Sequence, residues 1–221
     1  MPDTPKRPLK DQIYEIFLGR IQRGEIGPQD RLVDTAVAAE FEVSRMPVRD
    51  ALMRLSHEGY LDSTTRGFTL PNLSDRQIRE IFELRRLLEP RAAALATSQL
   101  TDDDLARMTD AVARAESTLE TGEIESLFAA SETFRRTWIM AVPNTELRDT
   151  ILRYMAHIQA VRMATLRDKT AHATLVTLQR RMLEAFSARD AAEVELLLLR
   201  YVLAGEDSFL QLRPRPADND G

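Results

Sequence analysis

Apolar residues recur every three or four positions along most of the chain, which is the spacing of one face of an α-helix. Over residues 1–73 this pattern is short and is interrupted by five glycines. From residue 74 onward it runs in long segments, and glycine occurs only at Gly122, Gly205 and Gly221. The pattern predicts a small mixed domain over residues 1–73 and an all-helical domain over residues 74–212. Residues 213–221 contain two prolines and no apolar repeat, so we expect a disordered tail.

The helical part divides into six amphipathic segments. Thr101, Asn144 and Asp190 stand just before three of them, and side chains of these types accept hydrogen bonds from the first backbone amides of a helix. In the first segment the predicted buried stripe consists of Ile78, Ile81, Leu84, Leu88 and Leu95. Six amphipathic helices with short connections indicate an antiparallel bundle.

Three shorter helices are predicted in the first domain: one over residues 9–21, one from residue 34, and one that Ser44 is placed to cap. The third helix has an apolar side that consists of Val48, Ala51, Leu52 and Leu55. Its opposite side carries Arg49, with Arg45 at the edge of the first turn. Arginine at such an exposed helix end can reach guanine edges and phosphates in the major groove of DNA.

A β-hairpin is predicted after the third helix. Two apolar runs, at residues 59–61 and 68–70, flank a polar stretch that ends in Arg66 and Gly67, so the tip of the hairpin is basic. Three helices followed by such a hairpin make a winged helix-turn-helix. The predicted fold class is therefore mainly α, with a winged helix-turn-helix followed by an antiparallel six-helix bundle.

Charge and composition narrow the functions that are possible. The chain has 30 basic and 35 acidic side chains, a net charge of −5, which argues against binding to nucleic acid by bulk attraction. Position matters more than the total, because Arg45, Arg49, Arg54 and Arg66 lie in the predicted third helix and hairpin. The absence of cysteine excludes thiolate metal sites and disulfides. No apolar run approaches the ~20 residues of a membrane span, so we expect no membrane partner and a cytoplasmic location.

The first domain resembles the GntR family of transcription regulators over about sixty residues. The residues that carry the resemblance are Ile21, Gly24, Pro28, Leu32, Asp34, Val37, Ala38, 43–45, 47–52, Leu55, Glu58, Gly59, Arg66 and Gly67. It implies contacts with DNA from Ser44, Arg45, Arg49, Arg66 and Gly67, with contributions from Thr35 and Met46. It also implies a homodimer on a pseudo-palindromic operator in double-stranded DNA.

Two positions depart from the GntR pattern. Gln29 and Glu42 stand where the family usually has glycine. If Glu42 adopts a left-handed backbone conformation between the second and third helices, the strain is of the order of 1 kcal/mol. Such a cost is tolerable, so neither departure changes the interpretation.

The helical domain resembles the FCD effector domain of FadR-type regulators. The resemblance rests on Glu83, Leu84, Arg85, Leu88, Glu89, Ala92, Ala93, Leu95 and Ala96, on Phe134, Ala141, Asn144 and Leu147, and on Ala185, Phe186 and Asp190. Six helices rather than seven indicate the VanR-like branch. Such domains commonly bind a divalent metal through one Asp and three His, and the metal helps to capture a carboxylate effector.

Alignment on the apolar landmarks places the four metal positions at Ser131, Arg135, Gln179 and Tyr201, none of which suits a divalent metal. The three histidines, His57, His157 and His172, share no metal-binding spacing. We therefore predict no metal site and no cofactor.

Two interpretations of the effector region remain open. In the first, Arg135 holds a small carboxylate or phosphate, with Ser131, Gln179, Tyr201, Arg85 and Arg162 completing the site. In the second, Tyr201 fills the cavity and Arg135 pairs with a nearby acid.

We predict a dimeric transcription regulator whose affinity for its operator is changed by a small anionic effector. We expect a repressor, because repression is commoner than activation in the family. The alternative is that the helical domain serves only for dimerisation. An enzyme is disfavoured, because no nucleophile–base pair, metal site or phosphate-binding loop stands out in the sequence.

Overall fold

The computed structural model describes residues 7–22, 25–27, 29–158, 162, 165–166 and 168–211. Over these residues the helices are α1 (Leu9–Gln22), α2 (Asp34–Glu40), α3 (Arg45–His57), α4 (Asp75–Ala96), α5 (Asp102–Thr121), α6 (Ile124–Met140), α7 (Thr145–His157), α8 (Lys169–Ser187) and α9 (Ala191–Gln211). The strands are β1 (Arg31–Leu32), β2 (Asp62–Thr64) and β3 (Gly67–Thr69). The predicted tail, residues 213–221, lies outside the described residues.

The chain divides into two compact units. One contains Met1–Ser74 and Arg153–His157, and the other contains Asp75–Leu152 and Ile158–Gly221. We refer to them as the amino-terminal unit and the helical unit. The predicted fold class, a winged helix-turn-helix followed by a helical bundle, is confirmed. None of the helices in the described part of the chain is both long and apolar enough to span a membrane.

The amino-terminal unit is built on the apolar faces of its three helices. α1 packs along α3, and α2 packs against α3 as well. The buried side chains are Ile13, Tyr14, Phe17, Leu18, Ile21, Ile26, Val37, Ala38, Val48, Ala51, Leu52, Leu55, Leu61 and Phe68. The predicted apolar side of the third helix is therefore the side that faces the core.

The hairpin differs from its prediction in two respects. Its first strand is the exposed polar segment β2, and not the apolar run at residues 59–61, because Leu61 is used in the core before the strand begins. The unpredicted β1 also pairs with β3, which gives an antiparallel sheet of order β1-β3-β2 with Leu32 opposite Phe68. A strand of two residues is too short to show an alternating pattern.

The turn between α2 and α3 has the left-handed residue that the sequence suggested. Glu42 has a φ of 53°, and its amide donates to the carbonyl of Ala39. The amide of Val43 donates to the carbonyl of Ala38, which completes a Schellman motif at the end of α2. Arg189 ends α8 in the same way, with a φ of 57°.

The predicted caps of the helical unit form hydrogen bonds. Thr101 and Asp104 make a reciprocal capping box at the start of α5. Asn144 Oδ1 accepts from the amide of Leu147, and Asp190 Oδ1 accepts from the amide of Glu193, both at 3.0 Å. Each acceptor satisfies an amide that the first turn of a helix leaves without an intrahelical partner.

The buried stripe of α4 is displaced from the predicted one. Leu84 is 43% exposed and Leu88 is half-buried, whereas Arg85 and Glu89 are buried between Ile81 and the alanines that follow. A pattern that counts only apolar residues misses this face, because two of its positions are occupied by an ion pair. α4 packs mainly along α9, and α5 packs along α6 and α8.

Candidate nucleic-acid interface and buried ionic cluster

The amino terminus of α3 is open to solvent. Ser44 occupies the capping position in an extended conformation, but its side chain makes no capping hydrogen bond within the described chain, contrary to the expected cap. Met46 is 65% exposed beside it, and Pro47 lies in the first turn, where no amide is needed. Free amides and a hydroxyl at a helix amino terminus suit a phosphate group.

A concave surface of about 400 Å³ lies between α3 and the hairpin. Five of the seven residues predicted to contact DNA line it: Thr35, Arg45, Arg49, Arg66 and Gly67. Ser44 and Met46 lie outside this lining, at the exposed start of α3. Side chains more than thirty positions apart in sequence therefore share one surface, which we call the arginine surface.

Arg45 is held in place by an acid that the sequence analysis did not assign. Its Nε lies 2.9 Å from Oδ2 of Asp34, and the Asp34 side chain is only 12% exposed, against 56% for Arg45. The pair links the first residues of α2 and α3. Asp34 thus limits the rotamers of Arg45 while leaving part of its guanidinium open to a ligand.

The tip of the hairpin depends on Thr64 and Gly67. Thr64 Oγ1 donates to the carbonyl of Gly67 at 2.8 Å and accepts from the amide of Arg66 at 3.2 Å. Gly67 has a φ of 126°, and a Cβ there would lie 2.6 Å from the carbonyl oxygen of Leu32. Gly67 is therefore required by the backbone conformation. Of the two predicted contact residues at the tip, Arg66 and Gly67, Arg66 is the one that presents a side chain.

Arg54 has a structural role, although it lies in the same helix as Arg49. Its Nε donates to Oε1 of Glu58 at 2.9 Å, and its guanidinium lies 3.9 Å from the centroid of the Tyr14 ring. Tyr14 donates its hydroxyl to Oε2 of Glu58 at 2.5 Å. The hydrogen bond to Glu58 raises the pKa of Arg54. The three side chains connect α1 to the end of α3, away from the arginine surface.

The core of the helical unit contains an ionic cluster, which consists of Arg85, Glu89, Glu132, Arg135 and Arg162. Glu89 accepts from Arg85 Nε at 2.8 Å and from Arg135 Nη2 at 3.0 Å. Burial raises the pKa of Glu89, but the charges of Arg135 and Arg85 outweigh it and hold that pKa below its ordinary value. Glu89 is therefore a carboxylate.

Arg162 forms the second pair of the cluster. Its Nη1 donates to Oε2 of Glu132 at 2.6 Å, and its guanidinium lies 5.1 Å from the centroid of the Phe128 ring. Burial raises the pKa of Glu132, yet Arg162 and Arg135 bring it below its ordinary value. The cluster as a whole holds three guanidinium groups and two carboxylates, a net charge of +1.

The six predicted effector residues do not all meet in one cavity. Arg85, Arg162 and Tyr201 line a cavity of about 20 Å³, room for about one water molecule. Ser131 instead donates to Gln179 Oε1 at 3.3 Å, and Arg135 is held by Glu89. Sequence reasoning missed Glu89 and Glu132 as partners. The spacing of four between Arg85 and Glu89 was the available signal.

His172 forms a structural contact inside the helical unit. His172 is buried, and its Nε2 lies 2.8 Å from Thr118 Oγ1, which connects α8 to α5. Burial lowers the pKa of His172, so it is neutral near pH 7. His57 is exposed in α3, and the side chain of His157 lies outside the described residues.

Two protein families match the chain. The FCD domain family matches residues 80–204, more than half of the chain, and the family described as bacterial regulatory proteins, gntR family, matches residues 9–69. The chain belongs to the GntR family and carries an FCD domain. It is accordingly a DNA-binding transcription regulator and not an enzyme.

Relatives of this GntR-family chain are regulators of bacterial transcription. The repressor RspR of Escherichia coli is 24% identical over 216 residues, which cover 97% of this chain and 95% of RspR. The regulator McbR of E. coli is 32% identical over 139 residues, 61% of this chain and 63% of McbR. A solved structure of E. coli McbR superimposes with a TM-score of 0.75 at 24% identity, covering 93% of this chain and 99% of McbR, which supports the fold.

Three of the four residues that the sequence analysis aligns with the FCD metal positions are bonded to other side chains. Arg135 is a cation bound to Glu89, and Ser131 and Gln179 are bonded to each other. In the part of the chain that the structure describes, no three His, Asp or Glu side chains are grouped as metal ligands. The guanidinium of Arg135, at one of these positions, opposes a second cation there.

Proposed function

We propose that the chain is a homodimeric repressor that acts in the cytoplasm on a pseudo-palindromic operator, and that a small anion in its helical unit changes its affinity for that operator. The observation that carries the DNA-binding part is the arginine surface, where Arg45 and Arg49 of α3 and Arg66 of the hairpin share one concavity. Arginine is the residue that most often reads guanine in the major groove.

The roles at this surface follow from exposure and partners. Arg49 is exposed and forms no ion pair with a described residue, so its guanidinium is free for a base edge. Arg45, oriented by Asp34, is placed for a phosphate or a neighbouring base. Ser44 and the first amides of α3 suit a backbone phosphate.

Arg49→Ala tests this assignment. We expect operator binding to weaken by about 1–3 kcal/mol and specificity to relax at one position of each half-site, because a bidentate contact is lost. Fluorescence anisotropy against operator and scrambled duplexes measures both effects. Arg114→Ala, an exposed arginine of α5, is the matched control and should leave both unchanged. Unaltered specificity in Arg49→Ala would show that Arg49 does not contact a base of the operator.

The ionic cluster supports a small anion as the effector. Its net charge is +1, and three buried donors of the helical unit, Arg162 Nη2, Gln179 Nε2 and Trp138 Nε1, have no acceptor among the described residues. A carboxylate or phosphate supplies negative charge and several acceptor atoms. Because Glu89 already holds Arg135 and the cavity is about 20 Å³, the anion must compete with Glu89 and open the core.

Competition between the anion and Glu89 would couple the binding of the effector to the binding of the operator. The structure then represents the closed state, in which Glu89 serves as the internal anion, and a ligand that binds the open state better shifts the population toward it. Operator affinity changes if the two states differ in their affinity for DNA. No metal takes part in this proposal, so a purified sample should bind the anion after treatment with a chelator.

Calorimetric titration with small organic acids and inorganic phosphate tests the pocket. Binding should be lost in Arg135→Ala and in Gln179→Leu, with thermal unfolding used to confirm that each variant is folded. Gln179→Leu removes a donor without adding or deleting a charge. Unchanged binding in both variants refutes the pocket.

The alternative proposal is a helical unit that serves only for dimerisation. The small cavity and the internal pairing of Arg135 favour it. Operator affinity measured with and without each acid separates the two, because a scaffold predicts no change with any of them.

A further inference from the structure

The solvent side of α9 carries a regular row of leucines. Leu196, Leu203 and Leu210 are 43%, 40% and 46% exposed and are spaced seven residues apart. Residues seven apart lie on the same side of a helix, nearly two full turns from one another. The opposite side of α9 is buried in the bundle, so these leucines lie outside the buried core of the unit.

The neighbouring helix extends the apolar surface. Leu84 and Leu87 of α4 are 43% and 66% exposed. α4 lies along α9, and ion pairs join the two helices at Arg86–Glu206 and at Arg91–Glu195. Single exposed leucines are ordinary, whereas five on two adjoining helices can together form an apolar surface.

Two charges accompany the leucines. Arg200 and Asp207 are exposed on the same side of α9, three residues before and four residues after Leu203. Neither forms an ion pair with any residue in the described ranges. We call this row, Leu196, Arg200, Leu203, Asp207 and Leu210, the α9 stripe.

The α9 stripe is complementary to itself in only one orientation. If two α9 helices cross antiparallel with the two-fold axis beside Leu203, Arg200 faces the partner's Asp207, and the same contact repeats across the axis. Leu203 then meets its own copy at the centre. A parallel arrangement places like charges opposite each other, which is unfavourable.

We propose that the α9 stripe, flanked by Leu84 and Leu87, is the surface through which two copies of this chain associate, with their α9 helices antiparallel and Arg200 paired with the partner's Asp207. The inference rests on the proposed dimeric function and assigns a surface to it. A second copy fits better than another partner, because Leu196 and Leu210 are equally far from Leu203 and the charges on its two sides are opposite. The stripe is therefore complementary to its own copy.

Charge reversal tests the surface on the full chain without DNA. By sedimentation equilibrium we expect the wild type to be a dimer, and Arg200→Asp and Asp207→Arg each to raise the dimer dissociation constant at least about tenfold, since two repulsive contacts replace two attractive ones. Mixing the two variants should restore a dimer, because every contact between the two different chains is then attractive. The double variant should also dimerise.

Arg114→Asp, the same reversal on α5, is the control and should leave the dimer intact. If the single variants dimerise as the wild type does, or if the mixture fails to associate, the α9 stripe is not the interface, although the regulator can still be a dimer through another surface. If the wild type is monomeric, both alone and on operator DNA, the dimeric function fails together with the surface.

Discussion

Arg45 and Arg49 occupy adjacent turns of α3 but are held differently. Asp34 fixes Arg45 at 2.9 Å, whereas Arg49 has no ion-pair partner among the described residues. A restrained arginine loses less side-chain entropy on binding, and an unrestrained one adapts to the base it meets. The arginines were identifiable from the sequence because their spacing on one helix determines which face they share. Asp34 was not, because its contact with Arg45 joins two helices.

Gly67 illustrates a residue whose importance lies in the backbone. We expect Gly67→Ala to destabilise the chain by about 1–3 kcal/mol, since φ is 126° and the new Cβ would lie 2.6 Å from the Leu32 carbonyl. Urea unfolding measures the change. Gly122→Ala is an informative comparison, because φ is 70° there but no atom lies within 4 Å of the added Cβ, so its cost should be smaller. Equal costs would contradict the role of the Leu32 contact.

At the scale of elements, the hairpin and the caps of the helical unit were predictable, whereas the strand β1 was not. Thr101, Asn144 and Asp190 cap their helices because capping depends on residues within one turn. β1 depends on pairing with β3, nearly forty residues away, and leaves no local pattern. The buried stripe of α4 was misplaced for a related reason, since Glu89 is bound in the core by Arg135 of α6 as well as by Arg85.

The left-handed turn between α2 and α3 offers a stabilising substitution. Glu42→Gly should raise the free energy of unfolding by up to about 1 kcal/mol, because glycine adopts a φ of 53° without strain. Ala39→Gly, inside α2, should lower it by about 1 kcal/mol, since glycine weakens a helix interior. Chemical denaturation measures the change in the free energy of unfolding of each variant. If Glu42→Gly is less stable than the wild type, the Glu42 side chain stabilises the fold by more than the left-handed turn costs.

The ion pair between Glu89 of α4 and Arg135 of α6 should contribute strongly to the stability of the helical unit. Removing the charge by Glu89→Gln leaves two buried guanidinium groups without their anion, so we expect a loss of about 3–5 kcal/mol at pH 7. Glu80→Gln removes an exposed partner of Arg76 and should leave the free energy of unfolding almost unchanged. Comparable losses in the two variants would contradict the central place of Glu89.

The effect of Glu89 should also depend on pH. Its folded pKa lies below the ordinary value, so its stabilisation is complete above the unfolded pKa of about 4.3 and is lost as the pH falls through the folded pKa. The difference in stability between wild type and Glu89→Gln should therefore shrink as the pH is lowered from 7 to 3. Denaturant unfolding at each pH measures it, and a constant difference would refute the charged state of Glu89.

At the scale of the whole molecule, we propose that a chain of net charge −5 binds DNA through a small arginine surface. Several of the acids form ion pairs with arginines: Asp34 with Arg45, Glu58 with Arg54 and Glu89 with Arg135. We expect bulk attraction to contribute little to such a protein, and its selectivity to depend on direct contacts and on the geometry of the proposed dimer. The family and the fold class could be predicted from the sequence, whereas the closed core around Glu89 required the structure.

Selection of bound sequences from a random duplex library tests the central claim most directly. The wild type should enrich duplexes with two inverted half-sites whose centres are about one helical turn apart, since a two-fold dimer presents two copies of α3. The double variant Arg45→Ala/Arg49→Ala should enrich no common sequence. Failure of the wild type to enrich any sequence, or enrichment of the same half-sites by the double variant, would contradict the arginine surface as the reader of the operator.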